Sequence, residues 1–268
     1  MIPSDVPTCE VRELGRISYP EARELQERVA DEIANGRCPP TLLLLEHPPT
    51  FTLGRRAREE DLLWGEAERS LRGIETYRID RGGQATYHGP GQLVGYPLLS
   101  LGRPDGAGQI PRADYTGYLR QLEAVLIEAA LEFGLAAGQV TGHTGIWVQP
   151  DIASRCPRCP PDARKSPAKL ASIGVRIDSR GVTRHGFALN VDPDMSHWEG
   201  IVACGEPGRP SVSFAQLLEP VPDPIEVRQS VIRSFGQVFG FQMVTFPSTS
   251  PPDLVGAPTR EPTARARP

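Results

Sequence analysis

Cys204, Lys169 and the histidines carry the side-chain types suited to covalent or proton-transfer chemistry. Cys204 lies in Ile201-Val202-Ala203-Cys204-Gly205-Glu206, where a small apolar lead-in and a following glycine suit a thiol at the end of a strand or loop. The same context also suits an inert buried cysteine. Lys169 lies 35 positions earlier, after Ala168 and before an apolar run. Taken alone it reads as solvated surface charge. The densest polar stretch is Arg81-Gly82-Gly83-Gln84-Ala85-Thr86-Tyr87-His88-Gly89-Pro90-Gly91-Gln92, continuing to Pro97, with five glycines. Glycines cluster where a chain turns at positive φ or lets a group approach its backbone. Arg81, Gln84, Thr86, His88 and Gln92 add donors and acceptors. The stretch equally reads as a tight turn at Arg81–Gly83 leading into a strand that ends near Leu98. It is not a phosphate loop, because no Gly-Lys-Ser/Thr follows and no GxGxxG opens a helix.

These groups must be held by the surrounding elements. Pro20–Asn35 reads as a helix, with Pro20 in its first turn, Ala22, Leu25, Val29 and Ile33 on one face, and Gly36 beyond its end. Thr41–Glu46 is a short apolar run and a buried strand, stopped by His47-Pro48-Pro49. Glu66–Leu71 reads as a short helix and Ile74–Ile79 as a strand entering the glycine stretch. Tyr115–Phe133 keeps a helical period and is followed by Gly134. Gly145–Gln149, Ala171–Asp178 and Val182–Val191 read as strands, the last two joined by a hairpin at Arg180-Gly181. A helix from Asp223-Pro224 to Gly240 and a strand over Phe241–Phe246 close the fold. Strands and helices without strict alternation imply an α/β (α+β) class with a mixed sheet flanked by helices.

The length of 268 residues suits one catalytic domain over 1–246, with an insertion at 150–167. The remainder, 247–268, holds six prolines among 22 residues and is expected to be disordered. The net charge of −4 argues against nucleic acid. The longest apolar run, Leu42–Leu45, is far too short for a membrane span. Five scattered cysteines and no signal-like N-terminus point to a cytoplasmic protein.

The glycine stretch resembles the signature of the lipoyl (octanoyl) transferases. Further segments resemble that family in order: Leu45-Glu46-His47-Pro48-Pro49-Thr50-Phe51-Thr52-Leu53-Gly54-Arg55, Lys169-Leu170-Ala171-Ser172-Ile173-Gly174, His185-Gly186-Phe187-Ala188-Leu189-Asn190, and Ile201-Val202-Ala203-Cys204-Gly205. The similarity runs from about Val11 to Phe246. It implies the biotin/lipoyl protein ligase type of catalytic fold. It also implies a Cys204–Lys169 dyad that moves an octanoyl group from acyl carrier protein to a lysine of lipoyl domains. Those domains are carried by 2-oxoacid dehydrogenases and the glycine cleavage H protein. A nearby ammonium lowers a thiol pKa from about 8.5 and supplies the thiolate. Exchanging thioesters and then forming an amide is downhill, so neither ATP nor any other cofactor, nor a metal, is expected.

Arg81, Gly82, Gly83, Gln84, Ala85, Thr86, Tyr87 and His88 are expected to line the substrate pocket, with the glycines, including Gly91, leaving room and Tyr87 capping it. Burying about six methylenes there is worth about 5 kcal/mol. Backbone amides of Gly186, Phe187 and Ala188 and of a turn at Ser172, Ile173 and Gly174 are the candidates for binding the thioester oxygen. His185 orients the pocket wall, His47 is structural, and His143 and His197 are surface or locally bonded groups. Arg55, Arg56 and Arg58 read either as solvated charge or as a site recruiting acidic carrier protein.

Two other readings stay open: an ATP-dependent lipoate or biotin ligase, and a non-catalytic module that binds lipoyl domains. Cys156-Pro157-Arg158-Cys159 departs from the family pattern. It reads as part of a mobile, proline-rich loop in preference to half a zinc site or a reversible disulfide.

Overall fold

The computed structural model describes residues 6–102, 114–205 and 208–246. The expected disorder of 247–268 and the side chain of Cys204 lie outside the described part. The strands are β1 (Thr8–Arg16), β2 (Thr41–Glu46), β3 (Thr50–Leu53), β4 (Glu75–Arg78), β5 (Ala85–His88), β6 (Gln92–Leu98), β7 (Ala137–Val140), β8 (His143–Val148), β9 (Ala168–Ile177), β10 (Thr183–Asn190) and β11 (Gln242–Phe246). The α-helices are α1 (Tyr19–Ala34), α2 (Glu66–Leu71), α3 (Tyr115–Leu131), α4 (Pro150–Ala153), α5 (Phe214–Leu217) and α6 (Pro224–Phe239). A large mixed sheet runs β11-β1-β2-β6-β10-β9-β8-β7, and a small one runs β4-β3-β5.

The central strand explains the layering. In β2 all four leucines are buried, and alternation sends them to opposite faces. Leu42 and Leu44 join the core under α3 and α6, which also holds Leu122, Leu126, Val231 and Phe235. Leu43 and Leu45 meet Ala22, Leu25, Val29 and Ile33 of α1 on the other face. Ser18 caps α1 in a capping box with Glu21, which satisfies donors the first turn would otherwise strand. Asp223 caps α6 in the same role, and Gly240 ends it at φ 71°.

Besides the unexpected β3 and α5, the structure departs from the sequence reading in four places. No single strand leads from the Arg81–Gly83 turn to Leu98. The chain breaks at Gly89–Gly91, so β5 pairs with β3 in the small sheet while β6 pairs with β2 and β10 in the large one. Pro90 and the positive φ of Gly91 end one ladder and start the next. β1, which pairs in parallel with both β2 and β11, is absent from the sequence reading. Its buried anchors are only Cys9 and Val11, scattered among charges. β7 at the sheet edge was likewise not expected.

The fourth departure is the insertion at 150–167. Rather than a mobile loop, it is a packed segment in which Cys156 and Cys159 form a disulfide. Pro150 starts α4, where proline is favourable, and Ala153, Cys156, Cys159 and Ala163 are buried in the main core. Arg158 ties it down through its Nη2, which donates to the Leu218 carbonyl at 3.0 Å.

Candidate active site

A cleft of about 220 Å³ opens where the small sheet leans on β9 and β10. Its floor is Lys169, Ser172, Ile173 and Gly174 of β9 with His185 to Ala188 of β10. Its wall is Ile79, Arg81 and Gly83 to Thr86, with His88. Tyr19 and Tyr96 close one end, and Gly142, His143 and Thr144 lie at the start of β8.

Lys169 faces this cleft because the sheet is irregular beside it. Ile146 pairs with Ala171 but the next residue, Trp147, pairs with Lys169, leaving Leu170 as an extra residue. Such a bulge reverses the alternation. Ala171 and Ile173 enter the core while Lys169 shares the cleft face with Ser172 and Gly174. Gly145 makes the bulge possible: it sits at φ 106°, and a Cβ there would lie 2.3 Å from the Ala171 carbonyl oxygen. Lys169 is buried, with Nζ 4.4 Å from the centre of the Trp147 ring. That is a cation–π contact, worth most where water is excluded. The backbone of Lys169 is clamped as well, its N–H donating to Pro210 O and its carbonyl accepting from Val212 N–H, both at 2.9 Å.

The segment carrying Cys204 packs against a wall residue of the same cleft. Val202 N–H donates to Asp61 O at 2.8 Å, and residues Ala203–Gly205 form one 3₁₀ turn against β5. Gly205 sits at φ 66°, and a Cβ there would be 1.9 Å from Gln84 Nε2. Its backbone therefore lies on a side chain that itself lines the cleft.

The other end of the cleft is a hydrogen-bonded cluster of neutral rings. His88 Nδ1–H donates to Gln92 Oε1 at 2.9 Å, and its Nε2 accepts from Thr52 Oγ1 at 3.3 Å. Thr52 in turn accepts from Arg81 Nη2 at 2.9 Å. Burial holds the His88 pKa well below its ordinary value, with the neighbouring His47 adding to the effect. His47 donates from Nδ1 to Ile17 O at 2.9 Å and accepts from the Tyr96 hydroxyl at 2.8 Å, and burial lowers its pKa to about 4. His185 stands at φ 59°, a backbone state rare outside glycine. Its N–H donates to Gln26 Oε1 at 2.7 Å, and its Nε2–H donates to Asp80 Oδ1 at 2.8 Å. Burial, followed by the charge of Arg81, pushes its pKa to about 3.

Several site expectations change. Tyr87 does not cap the cleft. Along β5, Thr86 and His88 face the cleft, whereas Tyr87 packs with Phe51 and Ile201 and its hydroxyl meets His197 Nδ1 at 2.9 Å. Gly82 faces a neighbouring cleft, and Gly91 packs on the Asp192 carbonyl instead of leaving room for a chain. Ser172, Ile173 and Gly174 form no turn. They pair with Ala188, Phe187 and Gly186 in the ladder, and strand N–H groups lie in the plane of the sheet rather than pointing out of it. Arg56 reaches the cleft, while Arg58 pairs with Asp61 at 3.8 Å. The sequence reading assigned no site role to His143. It lines the cleft, with Nε2 accepting from Arg209 Nη2 at 3.0 Å and its ring 5.7 Å from that of Trp147. Only its nearness to the β8 start marked it in the sequence.

A buried lysine lining a cleft whose wall residue Gln84 also meets the turn bearing a cysteine suits acyl transfer, and the fold is a mixed sheet with helices on both faces. Residues 18–236 match the family described as the lipoyl protein ligase A/B catalytic domain, and the chain belongs to it. Within that class it is 40% identical over 246 residues to an octanoyltransferase of Acidobacterium capsulatum, covering 90% of this chain and 94% of that one. An octanoyltransferase of Chloroflexus aurantiacus is 40% identical over 235 residues, 88% of this chain and 96% of the relative. One from Mycobacterium leprae is 42% identical over 202 residues, 75% of each. The chain is a member of the octanoyltransferase family. A bipartite lipoate protein ligase from Thermoplasma acidophilum, studied with its E2 lipoyl domain, shares the fold with a TM-score of 0.60 at 17% identity, over 90% of this chain and 87% of that one. No helix among the described residues is long and apolar enough to cross a membrane.

Proposed function

We propose that this chain transfers an octanoyl group from octanoyl-acyl carrier protein to the ε-amine of a lysine in lipoyl domains, through a thioester on Cys204. The acceptors are the lipoyl domains of 2-oxoacid dehydrogenases and the glycine cleavage H protein. The observation that carries the reading is buried Lys169, turned by the Leu170 bulge into a cleft whose wall also supports the Cys204 turn. In this reading residues 1–246 act as one catalytic domain.

The Lys169 ammonium favours the Cys204 thiolate. The thiolate attacks the carbonyl carbon of the incoming thioester, the bond to the carrier sulfur breaks, and Lys169 gives that sulfur its proton. The octanoyl chain is held in the cleft against Phe187, Ala188 and Ile173. The acceptor lysine must attack as a neutral amine. As it does so, neutral Lys169 takes its proton, the amide forms, and Cys204 leaves as thiolate with Lys169 again protonated. Arg81, Gly83, Gln84, Ala85, Thr86 and His88 shape the wall. Because burial keeps His88, His47 and His185 neutral, no imidazolium competes with Lys169 for the thiolate from that end.

Intact mass after mixing with octanoyl-acyl carrier protein, without ATP, tests the reading. Wild type gains one octanoyl group, Cys204→Ser gains none, and Lys169→Ala loads slowly with a raised apparent pKa for alkylation of Cys204. Loading that needs ATP, or undiminished transfer by Cys204→Ser, refutes it.

A further inference from the structure

A second and larger cleft, about 860 Å³, opens beside the first. Ile79 lines both, and the Arg81–Gly83 loop divides them, tied to β9 by the Gly82 N–H donating to Val175 O at 3.0 Å. Four arginines converge on it from four separate elements: Arg23 of α1, Arg55 after β3, Arg78 of β4 and Arg176 of β9. Glu27 and Asp80 are the acids facing the same space, so its lining carries +2 on a chain whose net charge is −4.

The acids neutralise this set only in part. Arg23 meets Glu27 only at 4.0 Å, and Arg184 shares that carboxylate at 3.8 Å. Arg176 and Arg78 pair with Asp80 and Glu59. Arg55 has no side-chain partner among the described residues. Solvated surface charge usually mixes signs, whereas like charges gathered in a concavity focus a field that attracts the opposite sign. The cations are spread along the walls instead of forming one fork, which fits several carboxylates better than one phosphate.

We infer that this arginine-lined cleft docks an acidic face of the protein that delivers the acyl thioester. The inference rests on the octanoyl-transfer reading above. Arg176 lies seven residues beyond Lys169 on the same strand, an offset on the order of 20 Å at ~3.3 Å per residue. A donor docked here must therefore present its thioester on a flexible arm of about that length.

The experiment compares wild type with Arg23→Ser/Arg55→Ser, both positions being exposed. The donors are octanoyl-acyl carrier protein, octanoyl-phosphopantetheine and octanoyl-pantetheine. Anisotropy of labelled carrier protein reads docking without turnover. For the carrier-borne donor the double variant should raise KM and Kd about tenfold at low salt, flatten their salt dependence and leave kcat unchanged. Kinetics with the two small donors should not change. Unchanged carrier KM and Kd overturn the inference. An equal loss with octanoyl-phosphopantetheine assigns the cleft to a phosphate and also overturns it, as does a raised KM for the lipoyl domain alone. Failure of wild type to transfer from any donor refutes the octanoyl-transfer reading instead, and the anisotropy arm still reports on the cleft.

Discussion

Gly205→Ala probes the contact between the Cys204 turn and the cleft wall. Gly205 adopts φ 66°, and a left-handed backbone costs an L-residue about 1–2 kcal/mol. At about 2–4 °C per kcal/mol for a domain of this size, Tm should fall by about 2–8 °C. The added methyl would also lie 1.9 Å from Gln84 Nε2. That atom ends a flexible side chain, so Gln84 swings away and the sheet need not move. The relief disturbs the wall on which the Cys204 turn rests, and in the proposed mechanism a displacement of about 1 Å there is worth roughly 100-fold in rate. Octanoyl loading by rapid-quench intact mass should therefore fall about 100-fold, far more than the stability change explains. Gln84→Ala removes the obstruction. In the double variant loading should recover to the level of Gln84→Ala alone, while Tm stays low because the backbone penalty persists. The cycle separates the two terms. Wild-type loading by Gly205→Ala, or a double variant no faster than Gly205→Ala, refutes this placement of the turn.

Gly145→Ala should be more damaging to stability, because the obstructing atom is the Ala171 carbonyl oxygen and cannot swing away. A loss of about 2–5 kcal/mol is expected from strain and overpacking, read by thermal or urea melts, and a wild-type Tm would refute the bulge. Replacing Cys156 and Cys159 with Ser should lower stability by about 2 kcal/mol on loop entropy alone, and reductant should lower the wild-type Tm similarly. An unchanged Tm in both cases rules out the staple. Acid should destabilise the fold above the range where carboxylates titrate: the unfolded chain protonates His47 below about 6.5, the folded protein only below about 4, so stability falls as pH drops through that window. His47 is the cleaner reporter, since Asp80 faces His185 and opposes the effect of its burial. The His47 term alone is about 3 kcal/mol, and a flat Tm between pH 7 and 5 would show that it is not buried neutral.

The regular parts of this fold were legible in the sequence because their periodicity is local. Thr41–Glu46, Glu66–Leu71 and the helix from Pro224 to Gly240 stand where their patterns place them. β1 was not legible, because its burial depends on parallel partners about thirty and more than two hundred residues away and only Cys9 and Val11 mark it. The insertion misled because proline-rich composition reports disfavoured ladders but not the packing of Ala153, Ala163 and the disulfide against α5.

The side chains were legible by type and not by direction, and the reason is physical. Strict alternation would send Lys169 into the core with Ala171 and Ile173, and only the extra residue Leu170, opposite the Ile146–Trp147 step, turns it out. His185 likewise points toward Asp80 and Tyr19 from a strained backbone state. A strained state persists only where its surroundings fix it. Here the fixing group is Gln26, a buried residue on α1 whose carbonyl oxygen accepts the His185 N–H. Helix α1 gives only Tyr19 to the cleft surface, yet it holds the wall strand in the conformation that aims His185. The helix belongs to the site through a hydrogen bond made on its buried face, which no periodicity in the sequence of α1 distinguishes from ordinary packing.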